Sequence, residues 1–469
     1  MSHRDRICRN GIGSTAQELN QVVEWLFAEA DFGSLKAPKD GRWSFRGLVI
    51  MALLWVWSDE ATLTLRFAAV LEMACRLWPH DLRQAISYQA FLKRLVRWTA
   101  PLMVSLKQAL REILRRSLRS HWQIAGRCVF GVDGSKMELA RTVSNEGRFS
   151  PAAARKGKAT QRSRKPSRQT AESRRKKAEN PQLWITTLWH AGTGLPWDWR
   201  LGAADSSERE HLLDMVGELP PRSLITADAG FVGYQMWATL LAAGHDFLIR
   251  VGGNVRLLKQ LGFARESQGT VSVWPEDATR RNQPPLVLRL VVVQGARHPW
   301  YLVTSVRNPR HLSDHQVVEI YRRRWGIELF YRHFKQTFAR RKLRSHAADH
   351  VICEAQWSLI GLWAMLLHAQ QHLHRRRVPP RQMSVAGVLR AFRGLLKQPC
   401  VAFDQRISFA DALEAAVVDK YTRRNKTRRN YPRKKYDAPC GPPALITATP
   451  QQQRRAQQLR NPDQTGLTA

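Results

Sequence analysis

Residues 321–335 read YRRRWGIELFYRHFK. Within them Tyr321, Arg324, Glu328 and Lys335 are spaced so that, at about 100° per residue, all four fall inside one sector of roughly 60° on a helix. A buried helix face carries apolar side chains. This one carries a single carboxylate among a phenol, a guanidinium and an ammonium, while Ile327, Phe330, Phe334 and Phe338 gather on another side. The conservative reading is a solvated face on which Arg324 pairs with Glu328 at i,i+4. Upstream, Ser313-x-x-Gln316 supplies a boxed start, and the helix is predicted to run to about Arg341.

Working outward from that helix, two short apolar runs end on aspartates. CVFGVD (128–133) leads into Gly134-Ser135, and SLITAD (223–228) into Ala229-Gly230. Carboxylates at the C-terminal ends of neighbouring strands converge at the open edge of an α/β sheet. Hard oxygen donors of that kind suit Mg²⁺ or Mn²⁺. Each aspartate alone is a weak signal, because an Asp ending a strand more often caps a turn or helix. Asp205, in a cap setting beside Ser207-x-x-Glu210, and Asp246, which starts its strand, are decoys of similar look. LWITTLWHAGTGLPWDWRLG (183–202) reads as a hairpin through Gly192–Gly194, and DFLIRV (246–251) as another buried strand. Strands alternating with helices make this an α/β unit. From Gly252 to about Arg297 the alternation stops, and TVSVW and LVLRLVVV predict an all-β insertion.

The flanks are different in character. Residues 14–122 are predicted helical, over Ala16–Phe27, Phe45–Trp57, Leu63–Leu77 and Tyr88–Leu118. More helix is predicted over His350–His372 and Val385–Lys397. Arg155–Lys177 holds eleven Lys/Arg and one acid, and Thr422–Lys435 eight Lys/Arg and none, so neither stretch has an apolar face to bury and both are expected to be mobile. The Gln/Thr/Pro-rich tail from Pro442 is expected to be unstructured.

In all, 469 residues hold 75 Lys+Arg against 38 Asp+Glu, a net charge of +37. With 43% hydrophobic residues there is enough for a sizeable core, so the charge points to a polyanionic partner, nucleic acid, and not to global disorder. Six widely spaced cysteines without a CxxC pair argue against a disulfide scaffold or a Cys-based zinc site and fit a reducing cytoplasm. His346 and His350 lack a further paired ligand, so a zinc-finger regulator gains no support. The apolar runs Gly47–Trp57 and Leu359–Leu367 fall short of the ~20 residues that span a bilayer, and MSHRDRICRNG has no apolar stretch behind its charges.

These residues resemble the IS4 family of bacterial DDE transposases. Val132–Lys136, VDGSK, is similar to that family's first Asp in a D-G-(S/T) context, and Asp228-Ala-Gly-Phe231 to its second in D-x-G-(F/Y). Tyr321, Arg324, Glu328 and Lys335 match its Y-x2-R-x3-E-x6-K signature without departure, and PQLWITTLWH and DSSEREH also look similar. The resemblance covers roughly Cys128 to His346. It implies a ribonuclease H-like catalytic core with a β-rich insertion (252–300), flanked by a helical N-terminal domain and a helical, basic C-terminal region. Boundaries follow at 1–124 (helical, binding DNA ends), 125–345 (core, with the basic loop 155–177), 346–421 (helices) and 422–469 (basic, largely disordered). Asp133, Asp228 and Glu328 are implied to be catalytic and to hold two Mg²⁺ or Mn²⁺ ions, and Tyr321, Arg324 and Lys335 to bind DNA phosphates. Trp300, in HPWYLVTSV, is implied to stack a flipped base, against the plain reading of a core residue in a strand. The implied activity is cut-and-paste transposition on double-stranded DNA, cutting at terminal inverted repeats and joining to target DNA. A homodimer in the cytoplasm, at the nucleoid, would carry it out. The alternatives are a metal-dependent nuclease on the same fold and a catalytically silent, transposase-derived DNA-binding protein.

Overall fold

The computed structural model describes residues 17–33, 35, 43–82, 86–152, 180–261, 269–295, 298–397, 407–418 and 441–459. The basic stretches 155–177 and 422–435 lie outside the described residues.

Strand β1 (Val129–Glu138) organises a ten-stranded sheet. β2 (Gln182–His190) and β3 (Leu195–Gly202) add to one edge as successive antiparallel neighbours, forming the expected hairpin, in which Gly194 takes φ +74°. β4 (Leu224–Ala227) and β5 (Asp246–Val251) add to the other edge in parallel, giving the local order β3-β2-β1-β4-β5. Period-2 alternation splits the hydrophobic residues between two faces. Val129, Met137, Ile185 and Leu224 belong to a large cluster on one face, and Phe130, Val132, Leu188 and Ile225 to a second on the other. Short helix α5 (Val143–Phe149) follows β1 in the chain, and short helices α6 (Glu208–Leu213) and α7 (Tyr234–Ala242) cover the second face through Leu212, Met236 and Trp237.

The predicted insertion does not form a separate all-β unit. β6 (Arg256–Leu258), β7 (Thr270–Val273), β8 (Leu286–Val293) and β9 (Trp300–Thr304) continue the sheet beyond β5 as an antiparallel ladder, and β9 pairs with β5 itself. A one-turn helix, α8 (Glu276–Arg280), interrupts them. The tail expectation also needs correcting. β10 (Ala444–Ile446) pairs in parallel with β6, and α14 (Pro450–Gln458) follows with a Thr449/Gln452 capping box. Ala448 and Ala456 pack there on Leu258, Leu261 and Trp274, a small core that composition alone hides.

Helices α1 (residues 17–27), α2 (Phe45–Trp57), α3 (Leu63–Leu77) and α4 (Tyr88–Ser117) fall where the periodicity places them. The expected boundaries at 124 and 345 do not separate hydrophobic cores, however. α4 and α2 pack on α11 (Ala348–Arg375), and one continuous cluster includes these helices, α12 (Val385–Lys397), α13 (Phe409–Glu414) and the first face of the sheet. The Trp57 indole donates to the Gly361 carbonyl (2.9 Å) and the Trp357 indole to Thr99 Oγ1 (2.9 Å), tying the N-terminal helices to α11. By length and composition α11 could cross a membrane, although its longest unbroken apolar run is short; 83% of its most apolar window is buried inside the protein.

The helix predicted from Ser313 to about Arg341 is segmented. The Ser313/Gln316 box is present and opens α9 (Asp314–Arg323). At Arg324 the bonds tighten to i→i−3, with Arg324 N–H on the Tyr321 carbonyl and Ile327 N–H on that of Arg324. α10 (Trp325–Arg332) follows and runs into a π-helical turn at His333–Thr337. Ile327, Phe330, Phe334 and Phe338 are all buried, as their spacing requires.

Candidate active site

Asp133 does not end its strand. β1 continues to Glu138 against β2, whereas its pairing with β4 stops at Gly131 opposite Thr226. Two residues further along that register, Asp133 and Asp228 stand abreast where β4 has ended and β1 has lost one neighbour. That lost neighbour opens the sheet edge the convergence argument needs. Asp228 caps the turn Ala229–Phe231 by accepting from Gly230 N–H (2.8 Å). Asp133 accepts from Gly134 N–H (2.9 Å). So the cap reading holds for Asp228, and the cap uses one of the two oxygens of that carboxylate.

α10 crosses over this edge. A side chain at Gly326 would collide with the Trp189 ring on β2, so glycine is what lets the helix approach. The buried Tyr331 hydroxyl then lies 2.9 Å from the carbonyls of Asp133 and Ile185, pinning the helix to the strand at the Asp133 position. Glu328, three residues earlier, faces a cleft of about 790 Å³ lined also by Asp228, Tyr321, Arg324 and Trp300.

The conservative reading of the helix face is half right. Arg324 Nη2 does pair with Glu328 Oε1, at 3.4 Å. The face is not solvated, though: Tyr321 is 4% and Arg324 6% exposed, and among the described residues the Tyr321 hydroxyl and Arg324 Nε are buried without a well-formed hydrogen bond. Buried donors without partners are rare and costly. Here they point to an acceptor that arrives with a ligand. Trp300 is half-buried, with its ring 5.3 Å from that of Tyr321, and it lines the cleft.

Lys335 does not join the group. It is absent from the cleft lining and sits near Glu138 and Arg341 at the far end of β1, where burial lowers its pKa. Asp133 is half-buried beside the cleft; burial first, then the charges of Asp228 and Glu328, push its carboxyl up to about 6, against the pull of Gly134 N–H and Arg324. Asp205 instead accepts from the Ala152 N–H, and Asp246 pairs with Arg127 at 2.6 Å, both away from this edge.

Sequence reasoning missed three contributors. Arg250, the one cation in DFLIRV, lines the cleft. Tyr331 pins the helix. Glu208, in DSSEREH, lies against Gly134, and burial together with Asp133 and Asp228 raises its carboxyl to about 7. A charge isolated in an apolar strand could have flagged Arg250. Nothing local distinguishes Glu208 from the other acids of its helix.

Among the described residues, no three His, Cys, Asp or Glu side chains are close enough together to hold a metal ion as they stand. The carboxylates converge without forming a finished shell. Their chemistry nevertheless fits a hard divalent cation: all donors are oxygens, and Asp133 and Asp228 form no ion pair among the described residues.

No curated protein matches the chain at a significant level. Among solved structures, a piggyBac transposase synaptic complex with hairpin DNA is similar at 11% identity, over 86% of this chain and 83% of that one, with a TM-score of 0.39, too distant a likeness to carry an argument. The domain model described as "Transposase DDE domain" matches residues 124–364, from just before β1 to the middle of α11. That match takes in both aspartate turns, the insertion and α9–α10, which is just over half of the sequence, and the chain therefore belongs to the DDE transposase family.

Proposed function

We propose that this chain is a cut-and-paste transposase of the IS4 type, in which Asp133, Asp228 and Glu328 are the catalytic carboxylates of a ribonuclease H-like core. The observation that carries the reading is the meeting of Asp228 and Glu328 in one cleft, beside Asp133, with two orphaned buried donors. The order β3-β2-β1-β4-β5, with β4 and β5 parallel to β1 and β2 antiparallel to it, supports the core assignment.

Phosphodiester cleavage needs an attacking oxygen activated and a leaving oxygen stabilised on opposite sides of phosphorus. Divalent ions, when bound, supply both, with Mg²⁺ or Mn²⁺ the fitting choice. Asp133 and Asp228 offer neighbouring oxygens from adjacent strands, and Glu328 offers another from the helix above. Tyr321 and Arg324 present donors to a phosphate oxygen, and the Arg324–Glu328 contact holds the guanidinium at the cleft. Water attack breaks the P–O3′ bond and leaves a 3′-hydroxyl and a 5′-phosphate. Attack by that hydroxyl on a second phosphodiester forms a new P–O bond, breaks the P–O3′ bond already there and releases that strand's 3′-hydroxyl, so strands are joined. Trp300 offers a stacking surface for a base displaced as the ends rearrange. Lys335, by its position, serves DNA backbone further along β1 and not the reacting phosphate. The partners are double-stranded DNA, with terminal inverted repeats and a target, and a second copy pairing two ends. The place of action is the bacterial nucleoid.

The test is cleavage and joining of oligonucleotides carrying the repeats that flank the gene. Wild type should produce strand-transfer product from a pre-cut 3′-hydroxyl end. Asp228→Asn and Glu328→Gln should each lose at least a thousandfold in cleavage with end binding within about threefold of wild type. Cleavage without any joining would make the protein a nuclease; cleavage by Asp228→Asn but not by Asp205→Asn would show that the second carboxylate is misassigned.

A further inference from the structure

The stripe of Tyr321, Arg324 and Glu328 has a second stripe beside it. One residue later at each step stand Arg322, Trp325 and Leu329, with the same spacing along α9 and α10. All three are exposed, Trp325 at 59% and Leu329 at 46%. Adjacent large apolar side chains left in water mark a surface that meets something else. They line a cavity of about 460 Å³ between α10, the β2–β3 hairpin and α11, walled by apolar side chains such as Ala191, Phe330, Leu366 and Met383. This cavity is separate from the catalytic cleft, but Arg322 and Trp325 line both.

Two polar groups interrupt the apolar wall. Gln370 donates from Nε2 to the Thr193 carbonyl (2.8 Å), and its amide oxygen is buried without a hydrogen-bond partner among the described residues. The Trp189 indole N–H is in the same condition. One unused acceptor and one unused donor therefore belong to a single apolar recess, the pattern of a pocket for a flat molecule with polar groups on its edge. At the rim Glu319 is taken by Arg323, while Arg322 and Arg381 form no ion pair among the described residues. A lipid tail would leave both buried polar groups unmatched and the cations idle. A nucleotide meets all three demands, with its ring in the recess, its ring edge on the donor and acceptor, and its phosphate on an arginine.

We propose that this cavity takes an unpaired base from the DNA strand that runs through the catalytic cleft, with Trp325 as the stacking surface at its entrance, Gln370 and Trp189 as edge contacts and Arg322 on the adjoining phosphate. The inference rests on the proposed DNA-cleaving role of the cleft. A DNA strand is the occupant because Arg322 and Trp325 belong to both spaces, which makes cleft and cavity successive stations for one chain of nucleotides. The base held here is not the one assigned to Trp300, which lines the cleft and not the cavity. Capturing it would fix the register of the strand relative to Glu328, the residue just before Leu329.

The test is binding, in chelator, of the full-length protein to an end duplex with a short single-stranded extension, scanned with one abasic nucleotide at a time. With wild type, removing the base at one position should weaken binding about tenfold. Trp325→Ala, a truncation of an exposed side chain, should weaken binding of the intact duplex by a similar factor and lose the penalty at that position, because protein and DNA changes then remove the same contact. Leu366→Trp, which fills the recess, should lose the penalty too, with unchanged circular dichroism. Trp300→Ala should keep it. If no position shows a penalty, or if the penalty persists in Trp325→Ala, the cavity is not a base site. If Trp300→Ala alone abolishes it, the base lies in the cleft and the inference is equally refuted. In each of these cases loss of cleavage by Asp228→Asn and Glu328→Gln leaves the proposed function standing, whereas cleavage retained by both variants removes that reading and this inference with it.

Discussion

Asp133→Asn should stabilise the metal-free protein while abolishing its activity. The Asp133 carboxyl rises from 3.8 to about 6 through burial and the charges of Asp228 and Glu328. A rise of that size, at about 1.36 kcal/mol per pH unit, sets an upper bound near 3 kcal/mol on the cost of its charge, and partial exposure brings that to about 1–2 kcal/mol. The sign follows from the direction of the shift. Because the folded value lies above the unfolded one, the cost is absent below about pH 4, where both states are protonated, and complete above about pH 6. Urea unfolding in chelator should therefore show the Asn variant more stable than wild type at pH 7.5, with the gain gone at pH 4. The amide oxygen can still accept from Gly134 N–H, so the local turn is preserved. Mg²⁺ at about a hundred times its dissociation constant should then add about 2.7 kcal/mol to wild type and far less to the variant. A variant less stable than wild type at pH 7.5, or a gain of the same size at pH 4, would refute the account of a charge held there for a cation.

Trp300→Ala should nick the first strand normally and slow the base-displacing step roughly ten- to hundredfold, since an aromatic platform is worth about 1–3 kcal/mol per base; a large drop in melting temperature with unchanged chemistry would show that packing on Tyr321 is its whole role. Deleting residues 155–177 should flatten the slope of log affinity against log salt by several units, at about 0.9 per phosphate contact, with non-specific affinity falling more than end discrimination; an unchanged slope removes that basic segment from the DNA interface. A stop at Gly441 strips β10 and α14 from Leu258, Leu261 and Trp274, so hydrogen exchange in β6 and β7 should quicken at least tenfold while β1, β4 and β5 keep their protection; equal quickening throughout would mean that the tail braces the whole sheet.

What the sequence reveals depends on how local the cause is. The capping box at Ser313, the hairpin around Gly194 and the α2, α3 and α4 spans follow from residues within a few positions of one another, and the structure places them as read. Asp133 and Asp228 stand out as a pair because each follows an apolar run and precedes a small residue, and their shared register follows from those runs pairing. Where the cause is distant, reading fails. β10 has no apolar alternation of its own and is a strand because β6 offers an open edge. The N-terminal helices look like a separate domain until Thr99 and Trp57 are seen hydrogen-bonding α11, more than 250 residues away. Glu208 is invisible for the same reason: its partner is a missing side chain, at Gly134, on another strand.

The signature helix shows both sides at once. Spacing alone puts Tyr321, Arg324, Glu328 and Lys335 on one face, but only if 3.6 residues per turn hold from end to end. They do not hold. The chain tightens at Arg324 and widens at His333–Thr337. The first irregularity comes within the Tyr321–Glu328 span and leaves those three residues in one cleft, whereas the second contains Lys335, which lies outside that cleft. π-turns cost stability and tend to persist where a side chain has to be aimed. The one here turns the chain so that Arg340 can bury its guanidinium on Val56, Phe338 and Ser358, anchoring the end of the helix to α2 and α11. Fixing that end holds α10 against β1, so the position of Glu328 over Asp133 depends on contacts well outside the cleft. Weakening the Arg340 anchor should therefore disturb cleavage without touching any residue that faces DNA.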